Sequence, residues 1–303
     1  MKKLVMILPL VLLLCFAFSC QKADELAVDK KEQPSVIVDN AISTDGVSIA
    51  YEVIGKGEPA LLFIPGWAAP RSVWEDELSH FSKKHKSVAV DLAGVGDSGN
   101  NRENWTMEAY GDDVISVIKR IGIDEVILVG WSLGGAVAIE AALKMPEAVM
   151  GIVIVDSLQD IEKRYSEEEI IGIENYYMDF VTNPTREKVQ ERLVIKKEEL
   201  IELYLAALKE DAPKIGWRES LRNFFLWCNE DCENAMKSIQ VPVVSINSDQ
   251  QPTNEEAFKK LVPSFKAKIM TGVGHFLKWE APDEFKRLLE TTIHEFIQMA
   301  EQK

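Results

Sequence analysis

A single serine stands between two glycines in the stretch Gly130-Trp131-Ser132-Leu133-Gly134. The residues before it, Glu125–Val129, are mostly β-branched and apolar, which predicts a short buried strand. The residues after it, Gly135–Leu143, are small and apolar and predict a closely packed helix. A serine on the sharp turn between strand and helix exposes its hydroxyl at the sheet edge, where the helix N-terminus favours negative charge. The pattern therefore predicts that Ser132 is a nucleophile.

A serine hydroxyl is a weak nucleophile and needs a base that takes its proton. The chain has four histidines. His80 and His85 lie around a lysine-rich helix end and His294 lies in an amphipathic terminal helix, so these three are predicted to be surface or packing residues. His275 instead follows the last predicted strand, in the flexible loop Gly272–Phe276. His275 is therefore the predicted general base.

These residues need a regular scaffold, and the hydrophobic pattern predicts one. Short apolar strands alternate with helical segments, which is typical of a parallel sheet covered by helices on both faces. The helices include Met107–Ile121, with Thr106 as its N-cap, and Ala281–Ala300. The predicted strands are Ser35–Ile42 and Val47–Ile54 around Asp45-Gly46, Ala60–Ile64, Ser87–Val90, Glu125–Val129, Gly151–Val155, Val241–Ile246 and Ala267–Met270.

The strand pattern stops between residues 160 and 240. This stretch is helical in character and rich in Glu and Lys, which predicts a helical cap over the carboxyl ends of the strands. Most of its aromatic residues are expected to form the core of the cap, and a few to face a substrate pocket. They are Tyr176, Tyr177, Phe180, Tyr204, Trp217, Phe224, Phe225 and Trp227.

Three motifs, in this order along the chain, resemble those of the α/β-hydrolase superfamily. They are Asp91–Gly99, which is similar to the D-x-x-G-x-G-x-S turn after the fourth strand of many members, the Gly130–Gly134 turn and the Gly274-His275 loop. The resemblance covers Val36 to Ala300. It implies an α/β fold with a mostly parallel eight-stranded sheet flanked by helices, and a helical cap inserted after strand six. Neither a metal nor an organic cofactor is implied.

The resemblance also implies an oxyanion hole. A tetrahedral intermediate needs two backbone N–H donors that converge on its oxygen. One is expected to be the amide of Leu133, the residue after the nucleophile. The other is expected in the loop Pro65-Gly66-Trp67-Ala68, where the amide of Trp67 would donate. Pro65 stands where the family usually has histidine, so the side-chain support of this loop is altered, although a backbone donor tolerates the change.

The acid that orients the base has two main candidates and a third, more distant one. The usual family position follows the strand Val241–Ile246, just before Pro252, but here that residue is Gln251. Asp249 lies two residues earlier in the same loop. Asp156 lies at the end of the preceding strand, where a minority of the superfamily carries its acid. Asp156 is favoured and Asp249 is the alternative, with Asp160 a more distant third candidate.

The resemblance predicts a serine hydrolase that cleaves a carboxylic ester or related acyl bond of a small molecule through an acyl-enzyme intermediate. Haloalkane dehalogenase and epoxide hydrolase chemistry is discounted, because those relatives use an aspartate nucleophile where this chain has Ser132. Serine-dependent carbon–carbon bond hydrolysis and perhydrolase chemistry stay open. So does a ligand-binding or signalling protein that retains the fold without turnover.

The N-terminus predicts targeting rather than a folded element. Lys2-Lys3 precedes the apolar segment Leu4–Phe18, which is typical of a signal peptide. Ser19-Cys20 resembles the lipobox of bacterial lipoproteins, which implies a signal peptide at 1–19 and a lipid on Cys20 that anchors the protein to a membrane of the cell envelope. An ordinary cleaved signal peptide and an uncleaved anchor are the alternatives. Residues 20–34 predict a flexible tether to a domain at 35–303.

Charge and cysteine content limit the partners. The formal net charge is −15, which argues against binding to nucleic acid. Cys228 and Cys232 are four residues apart on a predicted helix and are the only cysteines beyond the N-terminal segment. They could form a disulfide in an oxidising compartment or be two structural thiols. Two such ligands are too few for a zinc site, so no metal is expected.

Overall fold

The computed structural model describes residues 35–192, 198–207 and 214–302. The predicted signal peptide, Cys20 and the tether lie outside the described residues. The described residues belong to one compact unit.

Eight strands form one sheet in the order β1-β2-β4-β3-β5-β6-β7-β8. Their bounds are β1 Ile37–Ile42, β2 Ser48–Ile54, β3 Ala60–Ile64, β4 Ser87–Val90, β5 Val126–Trp131, β6 Val149–Val155, β7 Val243–Ser248 and β8 Lys266–Met270. β2 pairs antiparallel with β1 and β4, and every other neighbouring pair is parallel. The predicted mostly parallel eight-stranded sheet is therefore confirmed.

Helices cover both faces of the sheet. Their bounds are α1 Glu75–Phe81, α2 Met107–Ile121, α3 Leu133–Lys144, α4 Glu167–Thr182, α5 Arg186–Arg192, α6 Glu198–Ala207, α7 Lys214–Glu230, α8 Cys232–Ser238, α9 Glu255–Leu261, α10 Leu277–Glu280 and α11 Pro282–Glu301. A 3-10 turn at Arg71–Trp74 precedes α1. Thr106 caps α2 as predicted, since its hydroxyl accepts a hydrogen bond of 3.2 Å from the amide of Ala109.

The central strands are buried on both faces, which explains their continuous apolar sequences. All residues of β3 are buried. Leu62 and Ile64 pack into the apolar cluster that contains α2 and α3 residues, while Leu61 and Phe63 pack into the cluster that contains α1 and α11 residues. Alternate side chains of one strand thus enter two different cores, as the period of two requires. These cores hold the carboxyl ends of the strands in fixed positions.

β7 begins two residues later than predicted. Pro242 has no N–H to donate to the ladder, although its carbonyl still accepts a hydrogen bond of 3.0 Å from Ile152. The strand ends at Ser248, two residues beyond the predicted end at Ile246. Ser248 therefore lies in the sheet beside the end of β6 rather than in a loop.

Helices α4 to α8 form an insertion between β6 and β7. Its described residues contain no strand. Cys228 and Cys232 are both buried and both carry free thiols. Among the helices of the described ranges, none combines the length and hydropathy that crossing a bilayer requires.

Candidate active site

Ser132 occupies a strained turn between β5 and α3. Its backbone has φ +54° and ψ −124°, a conformation that residues other than glycine rarely adopt. The turn is tight enough to require glycine on both sides. A Cβ on Gly130 would lie 2.1 Å from the carbonyl oxygen of Gly134, and a Cβ on Gly134 would lie 2.6 Å from that of Ile64. The two glycines of the sequence motif are therefore needed for this geometry.

His275 lies in the loop between β8 and α10, and its neighbours hold the loop on both sides of the imidazole. The indole Nε1 of Trp131 donates to the carbonyl oxygen of His275 at 3.0 Å. The amide of Gly274 donates to the buried carboxylate of Glu280 at 3.2 Å. His275 Nδ1 lies 2.7 Å from Asp156 Oδ2, so the ring is tied to the end of β6.

Asp156 is buried and accepts hydrogen bonds from two directions. Its Oδ1 accepts from the amide of Ser248 at 2.7 Å, and its Oδ2 faces His275. Burial alone would raise the pKa of Asp156, but the hydrogen bond and charge of His275 and the hydrogen bonds of Ser248 hold it below its usual range. Asp156 is therefore ionised at neutral pH. The Nδ1 of His275 then carries the proton, and its Nε2 is free to act as a base.

The other two acid candidates make different contacts. Asp249 accepts from the amide of Gly272 at 3.1 Å and 3.2 Å, which stabilises the turn after β8. Asp160 accepts from the side-chain amide of Asn254 at 2.9 Å. The geometry thus favours Asp156, the preferred candidate, over Asp249. The backbone of Asp156 is itself strained, with φ +43°.

The two predicted oxyanion donors lie beside Ser132. Leu133 is the first residue of α3, where helix amides lack an intrahelical partner. Gly66 brings its loop against the serine, because a Cβ there would lie 3.2 Å from Ser132 Cβ. Within the described ranges, the amides of Trp67 and Leu133 have no hydrogen-bond partner. Both are therefore available to a ligand oxygen.

A cavity of about 750 Å³ joins these groups to the insertion. Ser132, His275, Asp156, Trp67 and Leu133 all line it. Of the eight insertion aromatics named above, five line the cavity, while Phe180, Trp217 and Trp227 are buried in the apolar core. Those lining the cavity are Tyr176, Tyr177, Phe180, Phe224 and Phe225. Helices α4 and α7 of the insertion place these rings around the cavity, which is large enough for a small organic ligand.

The remaining histidines have structural contacts away from the cavity. His80 pairs with Glu290 at 2.8 Å, His85 contacts the carbonyl of Pro59 at 2.9 Å, and His294 contacts Gln298 at 2.8 Å. No group of three or more metal-ligating side chains occurs among the residues the structure describes.

Sequence reasoning missed several groups that support the site. Ser248 and Glu280 were not singled out, and Trp131 was recognised only as part of the motif. Their contacts join residues far apart in the chain, so spacing carries no signal for them. A buried lysine, Lys278, is a further omission: its Nζ donates to the carbonyl of Val73, and it lies under the ring of Trp131.

Comparison with known proteins shows the family of the chain. Residues 61–288 match the model of the alpha/beta hydrolase family, which is more than half of the chain. The chain belongs to the alpha/beta hydrolase family. The matched range begins at the second residue of β3 and extends beyond β8. It contains Ser132, Asp156 and His275.

Solved structures show the same fold. A thermophilic esterase from Thermogutta terrifontis superposes with a TM-score of 0.72 over 86% of this chain and 99% of that one, at 19% identity. E-2-(acetamidomethylene)succinate hydrolase superposes with a TM-score of 0.66 over 86% of this chain and all of that one, at 19% identity. At such identities the likeness concerns the fold.

Curated relatives match either a short part of the chain at about 30% identity or most of the chain at lower identity. A human mitochondrial palmitoyl-protein thioesterase is 32% identical over 37% of this chain and 38% of its own length. An uncharacterized Mycobacterium tuberculosis protein is 30% identical over 37% of this chain and 33% of its own. The chain thus spans about a third of the length of these relatives. The 2-(acetamidomethylene)succinate hydrolase of Mesorhizobium japonicum is 23% identical over 78% of this chain and 88% of its own length.

Proposed function

We propose that the protein is a serine hydrolase that cleaves a carboxylic ester or related acyl bond of a small molecule. The observation that carries the proposal is the 2.7 Å contact of His275 Nδ1 with the buried, ionised Asp156. It orients a base in the cavity that Ser132 lines. A carboxylate, an imidazole and a serine on a strained strand-to-helix turn are the groups that nucleophilic acyl transfer uses.

In the proposed mechanism, Ser132 Oγ attacks the carbonyl carbon while its proton moves to His275 Nε2. The amides of Trp67 and Leu133 donate to the resulting oxyanion. His275 then protonates the leaving alcohol as the acyl-enzyme forms. Water attacks the acyl-enzyme, His275 takes the proton of that water, and the second tetrahedral intermediate releases the carboxylic acid and returns the proton to Ser132.

The family membership and the names of the relatives support a hydrolase. The similar proteins include a structure named as an esterase, a curated thioesterase and a hydrolase of an acetamidomethylene succinate. Their reactions differ, so the proposal names the bond class and leaves the substrate to experiment.

A fluorophosphonate probe tests the proposal directly. We expect the probe to label the wild-type protein and not Ser132→Ala, because the phosphonyl group bonds only to an activated serine. We also expect wild type to hydrolyse p-nitrophenyl esters and Ser132→Ala to show no activity above background. Absence of labelling and of hydrolysis in the wild type would favour the ligand-binding alternative.

We also propose that the protein is lipid-anchored at the bacterial cell envelope through Cys20. This rests on Ser19-Cys20 at the end of the apolar segment Leu4–Phe18. Mass spectrometry of the mature N-terminus is expected to find a diacylglycerol-modified Cys20 as its first residue. Unmodified cleavage at another position would refute the anchor and leave the hydrolase proposal intact.

A further inference from the structure

Trp67 connects the active-site cavity to the helical insertion. Its backbone amide lies in the loop beside Ser132, and its half-buried side chain packs on the insertion. The indole Nε1 donates to the main-chain carbonyl of Trp217, in α7, at 2.7 Å. The ring also meets Trp217 and Tyr177 edge-on, with centroid distances of 5.8 Å and 5.6 Å. One residue thus carries the proposed oxyanion donor and a contact with the insertion.

The loop that contains this amide packs on Trp131 and Ser132 through Gly66, but its backbone is strained further along. Ala68, the next residue, has φ +56°, a strained conformation for alanine. The turn is closed by one hydrogen bond of 3.2 Å, from the amide of Ala69 to the carbonyl of Gly66. Pro65 provides no side-chain hydrogen bond to the loop, since its ring has no polar atom. Strained backbone persists only when the surrounding contacts hold it, and the Trp67 side chain supplies such contacts.

The acceptor of the Trp67 hydrogen bond is itself fixed. The indole of Trp217 donates to the carbonyl of Gly94, in the loop after β4, at 3.2 Å. The first turn of α7 also lies directly on Trp105, because a Cβ on Gly216 would be 2.6 Å from that indole. α7 is therefore held against the main domain at the point where it accepts the Trp67 hydrogen bond.

We propose that Trp67 is a positioning residue whose indole hydrogen bond to Trp217 sets the place of its own backbone amide, so that α7 of the insertion fixes the oxyanion hole. The inference rests on the proposed function, because it assigns that amide to the oxyanion of the acyl-transfer reaction. The insertion then does more than enclose the substrate. It determines whether the second oxyanion donor is in place.

Trp67→Phe tests this link with a small change. Phenylalanine keeps an aromatic ring but has no N–H, and the Trp217 carbonyl retains a second donor, the hydroxyl of Ser220 at 3.0 Å. No buried acceptor is left without a partner. We expect kcat to fall between about tenfold and a hundredfold, as for a misplaced transition-state contact, with KM changed less than about threefold. Thermal unfolding followed by circular dichroism corrects kcat for the folded fraction.

Ser220→Ala is the matched control. It removes a second side-chain hydrogen bond to the same carbonyl, and Ser220 does not line the cavity. We expect its kcat and KM to equal those of wild type. A loss of kcat in Ser220→Ala as large as that in Trp67→Phe would mean that α7 packing in general, and not the indole bond, supports activity, and would overturn the proposal.

Transition-state analogues separate positioning from pocket shape. A trifluoromethyl ketone bonds to Ser132 Oγ and places an oxyanion between the two amides, whereas the matching methyl ketone binds largely as the uncharged ketone. We expect Trp67→Phe to weaken the trifluoromethyl ketone by the same factor as kcat/KM and the methyl ketone hardly at all. Equal weakening of both inhibitors, or a higher KM with unchanged kcat, would mean that Trp67 only shapes the cavity, and would overturn the proposal. An inactive, unlabelled wild type would instead refute the proposed function.

Discussion

The carboxyl edge of the sheet and the helical insertion line the same cavity, but they are held by different interactions. At the sheet edge, strained backbone is fixed by neighbouring strands: Ser132 and Asp156 donate their amides to Val155 and Ile246 at 2.9 Å and 3.0 Å. In the insertion, aromatic side chains and exposed ion pairs make many of the contacts. Ser132 and Asp156 therefore depend on main-chain hydrogen bonds between strands, whereas the pocket around them depends on side-chain packing.

The largest expected effect concerns the sheet edge alone. We expect Asp156→Asn to lower kcat by about 10³–10⁴, because an amide cannot stabilise the imidazolium or select the Nδ1–H tautomer. Asp249→Asn is the matched control in the neighbouring loop, where the carboxylate contacts Gly272 instead of His275. We expect it to change kcat less than about threefold, since no reacting group depends on it.

Hydrolysis of a p-nitrophenyl ester by the two variants decides between the acids. The reverse order of effects would assign the acid to Asp249 and would require the His275 loop to adopt another position during turnover. Equal, small effects would mean that His275 needs no acid. The contact between Asp156 and His275 would then no longer support the proposed function.

The second comparison sets a buried ion pair against an exposed one. In the main domain, Arg102 contacts Asp113 at 3.0 Å, and their side chains are 1% and 0% exposed. In the insertion, Arg164 lies 3.3 Å from Glu233, with side chains 41% and 49% exposed. Arg102→Met should lower the free energy of unfolding by about 3–5 kcal/mol, because it leaves Asp113 buried without its partner. Arg164→Met should lower it by less than about 1 kcal/mol.

Urea unfolding of the two variants measures this difference. Similar losses would contradict the contrast between the two regions, and would mean that the insertion contributes to global stability as strongly as the sheet. If Arg164→Met lowers only the hydrogen-exchange protection of α4 to α8, the contrast between the two regions becomes stronger, since the insertion would then unfold separately.

The same contrast explains what the sequence could predict. The bounds of β3, β4 and α2 match the predicted ranges because local hydrophobic period and capping determine them. Ser132 and His275 could be found because glycine turns and strand ends follow from neighbouring residues. The predicted start of β7 is wrong by two residues because Pro242 has no N–H to donate to the ladder. The Trp67–Trp217 bond joins residues 150 apart, which local pattern does not encode. Asp156 could be favoured from the family resemblance, but its contact with His275, 119 residues away, is what separates it from Asp249.

The smallest expected effect tests a charged side chain beneath the His275 loop. Lys278 is fully buried, and burial lowers its pKa to about 8, while the carboxylates of Glu77 and Asp76 raise it and the charge of Lys286 lowers it further. Its ordinary pKa is 10.5. Between these values the unfolded chain binds a proton that the folded chain has lost, so the contribution of Lys278 to the free energy of unfolding should rise with pH, by at most about 1.4 kcal/mol per pH unit. The buried thiols of Cys228 and Cys232, whose pKa burial raises, contribute in the opposite direction.

Lys278→Met should remove this rise, because methionine does not titrate. Its partner Glu77 lies 3.9 Å away and is also buried, so the variant is best compared with Lys278→Met/Glu77→Gln, which leaves no unpaired charge. Urea unfolding between pH 7.5 and 10.5 checks both. If the free energies of unfolding of wild type and Lys278→Met change in parallel over that range, Lys278 keeps its charge, and its ion pair with Glu77 persists throughout the range.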